Sequence, residues 1–136
     1  MVDAMDDSFD AGVPLDILIK ILVGLVAFLH VYFLVLEMFL WDKPFGMKTF
    51  QRTKEQQTET KVLAANQGLY NGFLAAGLVW TFFLHDTRFV YLIQSFFLGC
   101  IVIAGLYGGA TVGKKIAFVQ ALPAFIALIC VQLGPQ

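Results

Sequence analysis

This sequence of 136 residues is short of charge and of cysteine, since charged side chains make up 14% of it and Cys100 and Cys130 are the two thiols. With 59% hydrophobic residues it is too apolar for an ordinary soluble domain, in which about 45–50% of residues are apolar. The cysteines form no C-x-x-C pair, which excludes thiol–disulfide relay chemistry. We interpret both thiols as small hydrophobic residues.

Several functional motifs are also missing. There is no glycine-rich phosphate loop following a strand, no nucleophile elbow and no run of strand-length segments with alternating polarity. His30 and Glu37 lack a third nearby metal ligand, so we predict no metal site. We expect no cofactor and no nucleic-acid partner, because the basic loop of the chain is explained by membrane topology and by anionic lipid.

Four apolar stretches are long enough to cross a bilayer, which takes about 20 residues of helix. They predict an all-α integral membrane four-helix bundle over residues 16–136, preceded by an acidic polar segment at 1–15. A polar loop at 42–61 contains Thr53 and Gln56 with the spacing of a capping box, which predicts that the second helix begins near Lys54. The predicted spans are 17–41, 62–84, 89–111 and 116–133.

Basic residues are concentrated in the first and third predicted loops. The positive-inside rule therefore places loop 42–61 and the turn before residue 116 in the cytoplasm, with both termini outside. We expect a multi-pass protein of the cell membrane whose isolated Lys20, near the outer end of the first span, extends its ammonium group to the surface. The seven basic residues on the predicted inner side are Lys43, Lys48, Arg52, Lys54, Lys61, Lys114 and Lys115.

The polar residues within the spans indicate the candidate site. An ionisable side chain within a membrane helix costs about 2.5–3.5 kcal/mol on insertion scales, so Glu37 calls for a functional explanation. His30 lies seven residues earlier on the same helical face, and we predict that the two act together as catalytic acid–base groups. At similar depth, the other helices contribute predicted substrate-binding side chains, which are Asn66, Gln67, Tyr70, Asn71, Tyr107 and Gln120. Mutual hydrogen bonding without a function is the alternative for the amides.

The outer half of the predicted bundle has fewer polar groups, chiefly Gln94, Ser95 and Gln132. The second predicted helix also carries a small residue at every fourth position, at Ala64, Gly68, Gly72 and Ala76. Such a stripe permits close helix approach. It predicts either tight packing within one bundle or a seam between copies of the chain.

Three motifs resemble the small four-helix bacterial membrane proteins catalogued as domain of unknown function 1304 (DUF1304). They are KILVG at 20–24, LVLEMFLW at 34–41 and, above all, ETKVLAANQGLYNGF at 59–73. The resemblance covers about residues 15–133. It implies four spans and no particular chemistry.

A looser resemblance is to the membrane-associated eicosanoid and glutathione metabolism enzymes, which are four-helix proteins that work as trimers. Their second helix carries an acidic residue, then Asn, then a Glu-Asn pair. Glu59, Asn66 and Asn71 follow this order with one residue out of register, and Tyr70 stands where the second Glu would be. The arginines that hold glutathione in those enzymes are absent from this helix, which argues against glutathione binding and leaves the use of such a cofactor open.

The leading hypothesis from the sequence is an enzyme acting on a lipophilic small molecule by acid–base chemistry, such as an isomerisation, a ring opening or a hydration. Its cavity would open to the cytoplasm. One alternative is an oligomeric transporter or permeation subunit, because membrane carboxylates also line proton paths. The other is a lipid-binding membrane protein without turnover. In each case membrane lipid is an expected partner.

Overall fold

The structure, a computed structural model, describes residues 13–135 and is all-helical over that range, as predicted. Residues 1–12, most of the predicted acidic segment, lie outside the described residues, as does Gln136. A short 3₁₀ turn, Thr81–Phe83, follows the third helix. The helices are α1 (Leu15–Met38), α2 (Pro44–Phe50), α3 (Lys54–Trp80), α4 (Thr87–Thr111) and α5 (Lys114–Leu133).

Within the described range, α1, α4 and α5 are long and apolar enough to cross a membrane, which indicates a membrane protein. The second predicted span, 62–84, falls in α3 and the 3₁₀ turn. Helix α3 has 27 residues, but its first two turns are polar and its middle carries Asn66, Gln67 and Asn71. Helix α3 is therefore less apolar than α1, α4 and α5.

The connection between α1 and α3 is folded back onto α3. As predicted, α3 begins at Lys54 behind a capping box: Thr53 Oγ accepts from the Gln56 amide at 3.3 Å and the Gln56 side chain accepts from the Thr53 amide at 3.2 Å. The Trp41 indole donates to Thr60 at 3.2 Å. Lys61 Nζ donates to Asp42 at 2.8 Å, and this hydrogen bond lowers the pKa of the Asp42 carboxyl.

Helices α1 and α3 form a close hairpin. A β-carbon added at Gly68 would lie 2.8 Å from Met38 Cγ, and one at Gly72 would lie 2.5 Å from the Leu34 side chain. The small-residue stripe on α3 thus packs against α1 of the same chain at these two glycines. Ala76, the last member of the stripe, is exposed.

The core lies where α1 and the end of α3 meet α4 and α5. Val23, Leu78, Leu98, Ile101 and Ala124 are fully buried there. Helices α4 and α5 approach closely because Gly105 faces the backbone of Ala121. The same face of α5 presents alanines, so that the two backbones meet with little side-chain volume between them.

Helix α5 contains a π-helical turn, Ala117–Ala121, just before Pro123. Proline has no amide hydrogen, so an α-helix would leave a carbonyl one turn earlier unpaired. In the π turn the Leu122 amide donates instead to the Ala117 carbonyl, five residues back. The wider turn is a local rearrangement of the helix next to the proline, of the kind found at functional sites.

Two glycines of α4 provide a matched test of this packing. A β-carbon at Gly105 would lie 2.6 Å from the Ala121 backbone nitrogen, whereas one at Gly99 would meet no atom within 4 Å. We expect Gly105→Ala to lower the free energy of unfolding by about 1–3 kcal/mol, because two backbones must separate. Gly99→Ala should be neutral or stabilise by up to about 1 kcal/mol. Thermal unfolding in the same detergent measures both, and equal melting temperatures would contradict the α4–α5 contact.

Candidate functional site

The Glu37 side chain of α1 accepts hydrogen bonds from two amide side chains of α3. Gln67 Nε2 donates to Glu37 Oε1 at 3.1 Å, and Asn71 Nδ2 donates to Glu37 Oε2 at 2.7 Å. Glu37 is 6% exposed and Asn71 is 7% exposed, while Gln67 lies at the edge and is exposed. We call Glu37, Gln67 and Asn71 the carboxylate cluster.

The helix geometry of α3 explains this arrangement. Gln67 and Asn71 are four residues apart and so lie on one face, one turn apart along the axis. Gly68 lies beside them, and its missing side chain lets α1 approach: a β-carbon there would be 3.1 Å from Glu37 Cβ. Because α3 packs closely against α1 at Gly68, both amides can reach the Glu37 carboxylate. Each carboxylate oxygen accepts one bond here and has capacity for another.

His30 lies deeper in α1 and belongs to a different contact. Its Nδ1 lies 2.8 Å from the Val26 carbonyl, which can only accept, so Nδ1 carries the hydrogen. In a neutral ring Nε2 is then an acceptor, and Gln120 Nε2 lies 3.4 Å from it, at the limit of a hydrogen bond. Gln120 is presented by the π turn of α5. His30 is 1% exposed.

The predicted site residues thus separate into two buried contacts and an exposed group. Glu37 and His30 are seven residues apart, about 10.5 Å along the helix, and have no hydrogen-bond partner in common within residues 13–135. Asn66 is exposed beside the carboxylate cluster. Tyr70 is 59% exposed and Tyr107 is 72% exposed, so both rings lie on the outside of the described chain.

A further buried polar side chain lies nearer the start of α3. Gln57 is 0% exposed, and neither its amide nitrogen nor its amide oxygen has a hydrogen-bond partner among the described residues. It lies three residues before Thr60, the acceptor of the Trp41 hydrogen bond. The burial of Gln57 could not be predicted from the sequence, because Gln57 lies in a polar stretch that indicates solvent exposure.

An opening between helix ends lies at the other end of the bundle, away from the carboxylate cluster. It has a volume of about 320 Å³ and is formed by the start of α1, the 3₁₀ turn and connection that follow α3, the start of α4 and the end of α5. We call it the terminal pocket. The terminal pocket could not be predicted from the sequence, because it forms only where the ends of four helices come together. The polar side chains lining it are Asp16, Lys20, Thr81, His85, Thr87, Tyr91 and Gln94.

No group of three metal-ligating side chains occurs within residues 13–135. The carboxylate cluster has acid–base and hydrogen-bonding groups of its own. A carboxylate can take up or release a proton, and amides can orient a polar group of a bound molecule.

Comparison with known proteins gives a family and one relative. The profile of a family described as protein of unknown function (DUF1304) matches residues 24–132. An uncharacterized protein, YpaA of Lactococcus lactis subsp. lactis (strain IL1403), is 33% identical over 117 residues, which is 85% of this chain and 94% of that protein. No solved structure matches this one.

The two asparagines of α3 test whether the carboxylate cluster stabilises the hairpin. Asn71→Ala removes the 2.7 Å donor to Glu37, whereas Asn66→Ala removes an exposed amide of the same helix. We expect Asn71→Ala to lower the free energy of unfolding by about 1–3 kcal/mol, because hydrogen bonds to charged groups are the stronger ones. Asn66→Ala should change it by less than about 0.5 kcal/mol. If both variants melt at the wild-type temperature, the cluster does not hold the hairpin.

Replacing Gln57 is expected to stabilise the protein, in contrast to replacing Asn71. Replacing a buried amide that lacks a protein partner by an apolar side chain of similar length removes its desolvation penalty, which is about 1–3 kcal/mol. We therefore expect Gln57→Met to raise the melting temperature, and Gln56→Met, at the neighbouring exposed capping residue, to lower it slightly. A destabilised Gln57→Met protein would contradict this reasoning.

Proposed function

This chain belongs to the DUF1304 family, and we propose that it is a multi-pass protein of the cell membrane that binds a lipophilic small molecule beside Glu37 and acts on it by acid–base chemistry. The observation that carries the proposal is the carboxylate cluster itself. A carboxylate 6% exposed, in a helix apolar enough to cross a membrane, has both oxygens held by amides of a second helix. Polar residues within membrane helices mark functional sites.

We treat α3 as a membrane span in addition to α1, α4 and α5, which gives four spans. At 1.5 Å per residue its 27 residues extend about 40 Å, more than a hydrocarbon core of about 30 Å. The amides of Gln67 and Asn71 are occupied by Glu37, which lowers the cost of placing them in lipid. Four spans return the chain to the side from which it started.

The proposed orientation of the protein in the membrane is based on the distribution of its basic residues. Seven of the nine lysine and arginine residues lie at one end of the bundle, in the α1–α3 connection, in the first eight residues of α3 and at the start of α5. We place them in the cytoplasm and both termini outside. Glu37 is then near the cytoplasmic end of α1, where a molecule from the inner leaflet can reach it.

In the proposed mechanism Glu37 is the proton donor or acceptor. Gln67 and Asn71 hold its two oxygens in place, and the exposed Asn66 and Tyr70 of the same helix orient the polar group of the substrate. A proton taken by Glu37 from one atom of the substrate is returned to another, which gives an isomerisation. In a hydration or a hydrolytic ring opening, Glu37 takes a proton from a water molecule whose oxygen bonds to a substrate carbon, and returns that proton to the other atom of the bond that opens. His30 and Gln120 form a separate polar contact deeper in the bundle.

Binding without turnover is the second candidate. Its supporting observation is that each Glu37 oxygen already accepts a hydrogen bond from α3, so the carboxylate has a structural use. Association of copies through the α3 stripe is a further prediction, and Ala76 is the exposed member available for it.

The test compares two glutamate variants of the full chain, purified in nanodiscs from the native membrane. Glu37→Gln keeps the shape of the side chain and removes its proton exchange, and Glu59→Gln makes the same change at an exposed carboxylate of α3. Mass spectrometry and chromatography identify co-purified lipophilic molecules and follow their conversion. We expect Glu37→Gln to slow conversion at least about 100-fold, the usual contribution of a general acid or base, and Glu59→Gln to leave it unchanged.

Equal conversion by both variants would refute the role of Glu37. A ligand retained by the wild type and left chemically unchanged would reject turnover and favour the second candidate. If no lipophilic molecule co-purifies and none from a membrane extract binds, both candidates are wrong.

A further inference from the structure

The terminal pocket carries charges of both signs that are not paired with each other. Asp16 and Lys20 are four residues apart on α1, a spacing at which opposite charges commonly form an ion pair. Within residues 13–135 the ion pair observed is that of Lys61 with Asp42, so Asp16 and Lys20 line the same opening without such a contact. His85 adds a second basic group from the α3–α4 connection.

The inner wall of the terminal pocket is an ordered set of hydrogen-bonding groups. Gln94 is 5% exposed, and its Nε2 donates to Thr81 Oγ at 3.1 Å. The Thr81 hydroxyl donates in turn to the Leu78 carbonyl at 2.7 Å. The Gln94 amide is thereby fixed, and its carbonyl oxygen is available to a donor in the opening. Beside it, Tyr91 donates to Gln132 at 2.7 Å and ties α4 to α5.

The size and position of the terminal pocket limit the ligand. Its volume of about 320 Å³ is at the lower end of the range of small-molecule sites, roughly 300–1,000 Å³. It is formed at the ends of helices that are apolar enough to cross a membrane, with Ile19, Phe82 and Val90 on its apolar side. A compact polar group attached to an apolar chain fits both properties.

We propose that the terminal pocket binds the phosphoethanolamine headgroup of a membrane phospholipid. The phosphate lies with Lys20 and His85, the ammonium group donates to Asp16 and the Gln94 carbonyl, and the first acyl carbons lie against Phe82 and Val90. The two charges on α1, which form no ion pair with each other, are matched by one headgroup that carries both signs. This inference requires the membrane embedding of the proposed function and is independent of the chemistry at Glu37.

The test uses full-length protein that is delipidated and reconstituted into nanodiscs of equal parts phosphatidylethanolamine, phosphatidylglycerol and phosphatidylcholine. Native mass spectrometry then measures which lipid stays bound. We expect preferential retention of phosphatidylethanolamine, about a tenfold loss in Lys20→Gln, and in Asp16→Asn a loss of the preference over phosphatidylcholine, whose ammonium group cannot donate. Lys115→Gln, at an exposed lysine of the other bundle end, is the control and should match the wild type.

Three outcomes would overturn the assignment. Equal lipid retention in Lys20→Gln and Lys115→Gln would exclude a phosphate site at Lys20. Stronger retention of phosphatidylglycerol would exclude the ammonium contact at Asp16. Binding of free phosphoethanolamine in detergent, with the same dependence on Lys20 and Asp16 and no retained lipid, would keep the headgroup chemistry but reject the lipid as its source. Lys20→Arg, which keeps the charge, should restore binding and rules out misfolding as the cause of a loss.

Discussion

The structure depends on how a carboxylate is accommodated in an apolar helix hairpin. Burying Glu37 without hydrogen bonds would cost several kcal/mol, and the two amide donors of α3 reduce that cost. They can reach the carboxylate because Gly68 lets α1 and α3 approach closely. The glycine, the amides and the carboxylate therefore form one structural unit that holds α1 against α3.

The polar groups of the chain are distributed at two ends of an apolar core. The carboxylate cluster lies near the end of α1, and the terminal pocket lies near its start. Between them Val23, Leu78 and Leu98 are fully buried and exclude water. The two ends are thus separate environments, and in our account they bind different molecules: a lipophilic substrate beside Glu37 and a headgroup at the terminal pocket.

Much of the fold could be predicted from the sequence because its signals are local. Long apolar runs predict α1, α4 and α5, and the capping box predicts the start of α3 at Lys54. Depth in antiparallel helices predicts that Gln67 lies near Glu37, but the sequence indicated His30 as the partner of Glu37 and did not indicate Asn71 as its second donor. The face that each helix turns toward its neighbours was harder to predict. Helix α4 is apolar on nearly every face, and Tyr107 points outward because Gly105 is the residue that contacts α5.

Other features could not be predicted because they depend on tertiary contacts. The terminal pocket requires the ends of four helices to be placed in space, and its residues are far apart in the chain. The π turn of α5 lies just before Pro123, and its form cannot be derived from the presence of the proline alone. Gln57 is buried although its sequence neighbours are polar, because the α1–α3 connection folds back onto α3.

The central claim is that the carboxylate cluster is both the support of the hairpin and a binding site. The most direct measurement is a high-resolution structure of the protein in nanodiscs made from its native membrane. We predict that Glu37 accepts hydrogen bonds from Gln67 and Asn71 and that density for a lipophilic molecule lies beside them, over Asn66 and Tyr70. A cluster with the same hydrogen bonds and only disordered lipid against it would contradict the binding site and leave Glu37 a structural role.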